Sequence, residues 1–457
     1  MTYDIAVIGG GPAGYNAAEY AAGKGKKVIL FEKGNHLGGV CLNEGCIPTK
    51  AMLHSAHLLE KISNADKYGI TVDGNVSADY GKIMTRKKKI VRKLVAGVKQ
   101  KLLKAGVEMV DGLAALDGET DDGKIRIRCN DTEYTATDVL LATGSEVSVP
   151  PIDGIAETEY WTSTEALSAP ELPKSILIIG GGVIGMEFAG FYSAMGVDVT
   201  VVEMIPKILG PMDSEVSSLL QQEYEKAGVK FFLQAKVVSL HTGAVTIETY
   251  EGQREVLEAE RILLSTGRRP ITEGLGLETL DIEMNRRAIK VDSHMRTSHK
   301  HVYAAGDCVG GIMLAHVGYY EGEVAIRNIV DGADEEARYD SIPSVIYTSP
   351  EFASVGASED ELQKAGTDYK ALKIPMTFAG RFIVENERAT GLFKILYHAE
   401  TNKVLGVQIY GDPASEIIAI GGLAITEGMT LDELRHQIFP HPTVAEIFHE
   451  AAYMAED

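Results

Sequence analysis

Short apolar runs that end on glycine set the rhythm of the first half of this chain. Asp4 to Ile8 is such a run, and it stops at Gly9-Gly10-Gly11-Pro12-Ala13-Gly14. The helix-like AGYNAAEYAAGKG follows, and Lys27-Val28-Ile29-Leu30-Phe31 reads as a second strand ending at Glu32. Runs of this kind, bounded by turn residues, predict buried strands. The arrangement returns at Ser175-Ile176-Leu177-Ile178-Ile179, then Gly180-Gly181-Gly182-Val183-Ile184-Gly185, a helix, and a strand ending at Glu203. In each copy the acid lies eighteen residues past the third glycine. Val139-Leu140-Leu141-Ala142-Thr143-Gly144 and Ile262-Leu263-Leu264-Ser265-Thr266-Gly267 echo each other as strands ending in Thr-Gly. Two unrelated strand ends would be the plainer explanation, but both lie at similar distances from their glycine turns.

Each module fits a dinucleotide-binding unit. Its first glycine permits the turn and its second lets a pyrophosphate approach the backbone. The third lets helix pack on strand, and the acid holds a ribose hydroxyl. One such motif is weak evidence; two, each with strand, helix and acid, are strong. Pro150-Pro151 and Ser168-Ala169-Pro170-Glu171-Leu172-Pro173 punctuate the chain between them. A strand over 300–305 then ends at Gly306-Asp307-Cys308, before a helix over about 315–331. Residues 340–457 change texture. Alternating segments at 391–397 and 404–409 predict an antiparallel sheet, with helices near 412–428 and 443–455. A long helix over about 78–105 carries Arg86-Lys87-Lys88-Lys89, which reads as a solvated face. The expected fold class is therefore α/β, with two Rossmann-like dinucleotide-binding domains and a C-terminal α+β domain.

Composition narrows the function classes. The chain has 457 residues, 45% apolar and 24% charged, an ordinary globular balance with room for about three domains. A formal charge of −21 would repel nucleic acid and an anionic membrane surface. No apolar run reaches a membrane span, and no signal peptide precedes the first strand, so a cytoplasmic protein is expected. Four cysteines are too few for a disulfide framework.

Two of those cysteines carry the most specific chemistry. Cys41-Leu42-Asn43-Glu44-Gly45-Cys46-Ile47-Pro48-Thr49-Lys50 follows the first module closely. A C-x4-C pair can be bridged only if the intervening chain is compacted, which Gly45 helps. A zinc pair usually shows C-x2-C with a second knuckle, whereas Cys129 and Cys308 are isolated. Two buried free thiols remain the bland alternative. At the other end, His441 stands between Pro440 and Pro442, and Thr443-x-x-Glu446 is a capping box, so both could be structural or could form a base with its orienting acid. Glu203 favours NAD over NADP, because a carboxylate accepts from a ribose 2′-hydroxyl but repels a 2′-phosphate. Met204-Ile205-Pro206 offer no arginine, and Lys207 is the nearest cation.

The decapeptide CLNEGCIPTK after GGGPAG resembles the redox-active disulfide of the pyridine nucleotide-disulfide oxidoreductases, and within them the branch that oxidises protein-bound dihydrolipoyl groups. The resemblance spans the first glycine turn, the cysteine decapeptide, the second turn with Glu187, the AAGDC segment and the terminal HPT motif. It implies FAD on the first module, with Gly9, Gly11 and Gly14 at the pyrophosphate, Glu32 on the adenosine ribose and Asp307 on the ribityl chain. Gly112, Ala142, Thr143, Gly144, Met313, Leu314, Ala315 and His316 are further flavin contacts by the same resemblance. Gly180, Gly182, Gly185, Glu203 and Gly267 would hold NAD, and no metal is implied. Lys50 and Glu187 match the ion pair beside the flavin ring, although Lys50 alone could be a solvated helix residue.

By resemblance Cys41 is the interchange thiol and Cys46 the thiol against the flavin. His441 is the acid-base group and Glu446 its orienter, both serving the disulfide of the opposite subunit in a homodimer; His449 does not match the motif. The implied domains are 1–150 for FAD, completed by 270–335, then 151–269 for NAD and 336–457 for dimerisation. The implied partner is a lipoylated protein on a separate chain, from a 2-oxo acid dehydrogenase complex or the glycine cleavage system. Competing readings are a reductase of glutathione or mercuric ion running from NADPH, a flavin transhydrogenase, and a flavin-binding subunit without turnover. Tyr453 to Asp457 lacks the extra cysteine pair of a mercuric or thioredoxin reductase. Glu44 stands where the family often has an apolar or basic residue, and Thr49 replaces a commoner serine.

Overall fold

The glycine-ended runs become parallel strands because their residues are apolar on both faces and need cover on both. The computed structural model describes residues 1–386 and 390–455, leaving aside the side chain of Asn35. Glu456 and Asp457, part of the C-terminal stretch read above, lie outside the described residues. The chain divides into two compact units. One comprises Met1–Ala51, Met84–Val149 and Thr266–Arg338; the other comprises Met52–Ile83, Pro150–Ser265 and Tyr339–Asp457.

In the first unit the strands run 108–111, 28–32, 2–8 and 132–141 in spatial order, parallel where neighbours. The strand Thr132–Leu141 changes partner along its length. Thr132 to Ala136 pair antiparallel with Ile125–Cys129, and Val139 to Leu141 pair parallel with Val302–Ala304. Ala6, Val7, Leu30 and Leu140 are fully buried in this sheet. Helices Pro12–Gly23 and Ala315–Asp331 meet closely enough that a Cβ on Gly322 would lie 2.6 Å from Ala13 O.

The second unit repeats that order, with strands 230–232, 198–202, 175–179 and 261–264 all parallel. An antiparallel three-stranded sheet, 236–241, 244–248 and 254–258, accompanies it. Residues 344–410 supply a five-stranded antiparallel sheet whose central members are 404–410 and 352–356 with 392–398 alongside. Helix Ala414–Thr426 lies against it, since a Cβ on Gly421 would come within 3.0 Å of Val355 and Val407. Phe448 of helix Ile447–Met454 meets Phe393 edge-on at 4.8 Å. The architecture is thus α/β, with two Rossmann-like sheets and a C-terminal α+β part.

The antiparallel sheet expected from 391–397 and 404–409 forms, and one expectation, that of a wholly solvated basic run, needs correction. Within that sheet the polar residues Lys394 and Gln408 are each 1% exposed and stand opposite one another in the register. The start of helix Ser214–Lys226 covers them: Lys394 Nζ pairs with Asp213 at 2.9 Å, Glu215 at 2.7 Å and Glu359 at 3.0 Å. Burial pulls the Lys394 ammonium pKa down, but hydrogen bonds to Glu215 and Asp213 outweigh it and the net shift is upward. Lys394→Met would leave the buried Asp213 carboxylate without its cation, so urea unfolding should show a loss of about 3–5 kcal/mol. A change under about 1 kcal/mol would contradict that account. Similarly, helix Tyr80–Ala105 exposes Arg86, Lys88 and Lys89, but Lys87 is 6% exposed, and burial lowers its pKa. The basic run is therefore not wholly a solvated face.

Candidate functional site

Both glycine turns are built by close backbone contact. Gly9 has φ +110°, and a Cβ there would meet Ala142 O at 2.1 Å; Gly180 has φ +108°, with Ser265 O at 2.5 Å. A Cβ on Gly14 would sit 1.8 Å from Gly9 O, and one on Gly185 2.0 Å from Gly180 O. These four positions admit only glycine. The middle glycines differ: a Cβ on Gly11 would find only Gly39 at 3.8 Å, and one on Gly182 nothing within 4 Å. That open space lies at the N-terminus of helices Pro12–Gly23 and Val183–Ala194, neither of which has a side-chain cap. Uncapped N–H groups beside open backbone suit a pyrophosphate. Glu32 accepts from Gly10 N–H, and Glu203 accepts from Gly181 N–H at 2.7 Å and Ile205 N–H at 3.0 Å. A carboxylate has about four acceptor positions, so capacity remains for ribose hydroxyls. Burial raises the Glu32 pKa despite the Gly10 bond.

In the first unit Cys41 lies on the short helix Gly39–Asn43, and Cys46 opens the helix Cys46–Ser63. Both are partly exposed and unbridged, and their side chains are hydrogen-bonded to each other. The bond to Cys46, then burial, pushes the Cys41 thiol pKa far up, while Lys50 pulls the other way. A helix N-terminus favours the thiolate at Cys46. Glu44 and Gly45 make the intervening turn, with Glu44 N–H on Val40 O at 2.8 Å and Thr49 Oγ1 on Gly45 O at 2.6 Å.

Asp307 follows Gly306 and accepts from Ser145 Oγ. Arg268 in turn donates to Ser145 Oγ and Ser145 O, both at 2.7 Å. Its pKa is lowered by burial, against the attraction of Asp307, Glu44 and Cys46. Sequence reasoning missed Arg268 and Ser145; their only signal was position, just past the two Thr-Gly echoes. It also missed the buried Glu321, whose Oε2 accepts Gly306 N–H at 2.7 Å and fixes the turn before Asp307. Gly112 has φ +156° and donates to Glu32 O at 3.1 Å; Ala142 N–H bonds Ile8 O at 2.8 Å, and Thr143 Oγ1 bonds Ile271 O at 2.7 Å. Gly144 and Gly267 both have positive φ. Met313 and Leu314 lead into helix Ala315–Asp331, where Ala315 and His316 form an N-terminus without a side-chain cap.

In the second unit Glu187 is 4% exposed on helix Val183–Ala194, and its Oε1 accepts Tyr347 N–H at 3.2 Å. Lys207 is tied to Met212 O, Ser214 Oγ and Asp360. His441 and Glu446 meet at 2.8 Å, Nδ1 to Oε1. The carboxylate also accepts Thr443 N–H on Oε2 at 2.8 Å, so capping and ring orientation are done by one group, not alternatives. The Thr443 bond, then His441, lowers the Glu446 pKa. His441 has 81% of its side chain exposed. Among the described residues no cluster of metal-ligating side chains forms, and no helix is long and apolar enough to cross a membrane.

Comparison with known proteins places these features in context. The sequence profile described as "Pyridine nucleotide-disulphide oxidoreductase" matches residues 3–322, and that of its dimerisation domain matches 342–452. The dihydrolipoyl dehydrogenase of Bacillus subtilis is 38% identical over 98% of this chain and 97% of its own length. That of Thermus scotoductus is 40% identical over 99% and 97%. Among solved structures, LpdA from Mycobacterium tuberculosis superposes with TM-score 0.89 at 27% identity over 99% of both chains. The HOCl-induced flavoprotein disulfide reductase RclA from Escherichia coli gives 0.86 at 27% identity, over 99% of this chain and 100% of its own.

Proposed function

Because the chain belongs to the pyridine nucleotide-disulphide oxidoreductase family, we propose that it oxidises protein-bound dihydrolipoyl groups with NAD⁺ as acceptor. The observation that carries this reading is the hydrogen-bonded Cys41 and Cys46 pair at a helix N-terminus, in a chain with two open glycine turns. The choice of dihydrolipoyl substrate follows the names of relatives at 38–40% identity.

The chemistry assigned to this chain's residues is thiol-disulfide exchange. Starting from the Cys41–Cys46 disulfide, His441 takes a proton from a substrate thiol at Nε2, with Nδ1–H held on Glu446. The thiolate attacks Cys41 Sγ, and Cys46 leaves as a thiolate. The second substrate sulfur then displaces Cys41, and the lipoyl disulfide departs with two electrons left on the cysteine pair. Bound FAD supplies the two-electron relay from that pair to NAD⁺. Gly9, Gly11, Gly14 and Glu32 would hold it with Asp307, Gly112, Ala142 to Gly144 and Met313 to His316; Lys50 and Glu187 would flank its ring. Gly180, Gly182, Gly185, Glu203 and Gly267 would hold NAD⁺.

The dimerisation-domain match supports a homodimer, and we assign His441 and Glu446 to the cysteine pair of the opposite subunit. The division 1–150 with 270–335, 151–269 and 336–457 expresses the same reading. A lipoylated protein of a 2-oxo acid dehydrogenase complex or the glycine cleavage system is the partner, in the cytoplasm. Purified holoenzyme with free dihydrolipoamide should reduce NAD⁺ rapidly and NADP⁺ poorly in parallel initial-rate assays. Reduction of neither, by FAD-loaded protein, would count for the glutathione or metal reductase reading.

A further inference from the structure

Lys207 stands four residues beyond Glu203, and a free ammonium there would attract the 2′-phosphate that Glu203 repels. The chain just past Lys207 is held against the second glycine turn. Leu209 N–H donates to Gly181 O at 2.8 Å, and a Cβ on Gly181 would touch Ile208 at 3.3 Å. Yet the ammonium is fully engaged elsewhere: Nζ donates to Met212 O at 2.5 Å, to Ser214 Oγ at 2.8 Å and to Asp360 Oδ2 at 3.3 Å. A lysine has three N–H donors, and these three acceptors account for all of them.

Asp360 is itself fixed. Its Oδ2 accepts Ser214 N–H at 3.0 Å and Ser214 Oγ–H at 2.7 Å. It lies in the first turn of helix Glu359–Ala365, which Ser358 and Glu361 close with a capping box. The neighbouring Glu359 pairs with Lys394 and Lys373. The first turn of this helix thus grips the start of helix Ser214–Lys226 and the lysine before it.

We propose that Asp360 is a positioning residue for coenzyme discrimination, holding the Lys207 ammonium on Met212 O and Ser214 Oγ so that Glu203 alone decides what the 2′ position accepts. The proposal rests on reading the second glycine turn as the NAD site. FAD-loaded holoenzyme would be titrated calorimetrically with 5′-AMP and with 2′,5′-ADP. Asp360→Asn keeps an acceptor for Ser214 but loses the charge, and should tighten 2′,5′-ADP about two- to five-fold while leaving 5′-AMP unchanged. Adding Lys207→Met should erase the gain, and Lys207→Met alone should change neither ligand.

Unaltered 2′,5′-ADP affinity in Asp360→Asn, or a gain that survives Lys207→Met, would overturn the proposal. Parallel weakening of both ligands would reduce Asp360 to a structural clamp and overturn it equally. Failure of the unmodified holoenzyme to bind 5′-AMP would instead bring down the reading of the second turn, and the proposal with it.

Discussion

Cys46→Ser is expected to lower dihydrolipoamide oxidation by about 10³-fold or more, since serine can neither close the disulfide nor leave as a thiolate. The variant should also lack the long-wavelength absorbance that a Cys46 thiolate gives against bound FAD on partial reduction. The physical basis is the position of Cys46 as the first residue of an 18-residue helix, where the backbone dipole favours the anion. Cys41 has the opposite surroundings, with its partner's sulfur and burial opposing ionisation. Cys41→Ser should therefore keep that absorbance while losing exchange with substrate. If the absorbance vanished from Cys41→Ser and survived in Cys46→Ser, the roles of the two sulfurs would be reversed.

His441→Ala should cost about 10²–10⁴-fold in turnover, the range for losing a positioned acid-base group. Glu446→Gln is the sharper test. Glutamine keeps an oxygen for Thr443 N–H or for the imidazole, but it loses the charge that stabilises the protonated ring. A rate loss with little change in KM and an altered pH profile would mark Glu446 as a positioning residue; an unchanged pH profile would leave it a helix cap only. The sign of its stability effect follows from its lowered pKa. The carboxylate's stabilising contribution is fully present above the ordinary value of 4.5 and is lost as pH falls through the lowered one.

Much of the site was legible in the chain because it depends on local backbone approach. Gly9 and Gly14 are adjacent in space because a turn of that length must fold back on itself, and a Cβ on Gly14, only 1.8 Å from Gly9 O, would leave no room for any other residue. Gly180 and Gly185 repeat the case. The HPTVAE segment was legible for the same reason, since Thr443, Glu446 and His441 are close enough in sequence to meet without help from elsewhere.

The alternating strands of the C-terminal part were legible as a sheet, but the burial of Lys394 was not, because alternation reports polarity, not cover. Lys394 is polar and buried because carboxylates from other segments surround it. Arg268 escaped functional reading, and the pairing of Lys207 with Asp360 was not legible, for the same reason: the partners lie 123 and 153 residues away.

The sequence by itself determined the two nucleotide turns, the cysteine decapeptide and the histidine with its acid, since each is made by neighbours along the chain and enforced by steric limits on the backbone. Only the tertiary structure decided which cations are paired and buried, and with which acids. Charge compensation acts through space at a few ångströms, and the folded chain alone brings such distant partners within that reach.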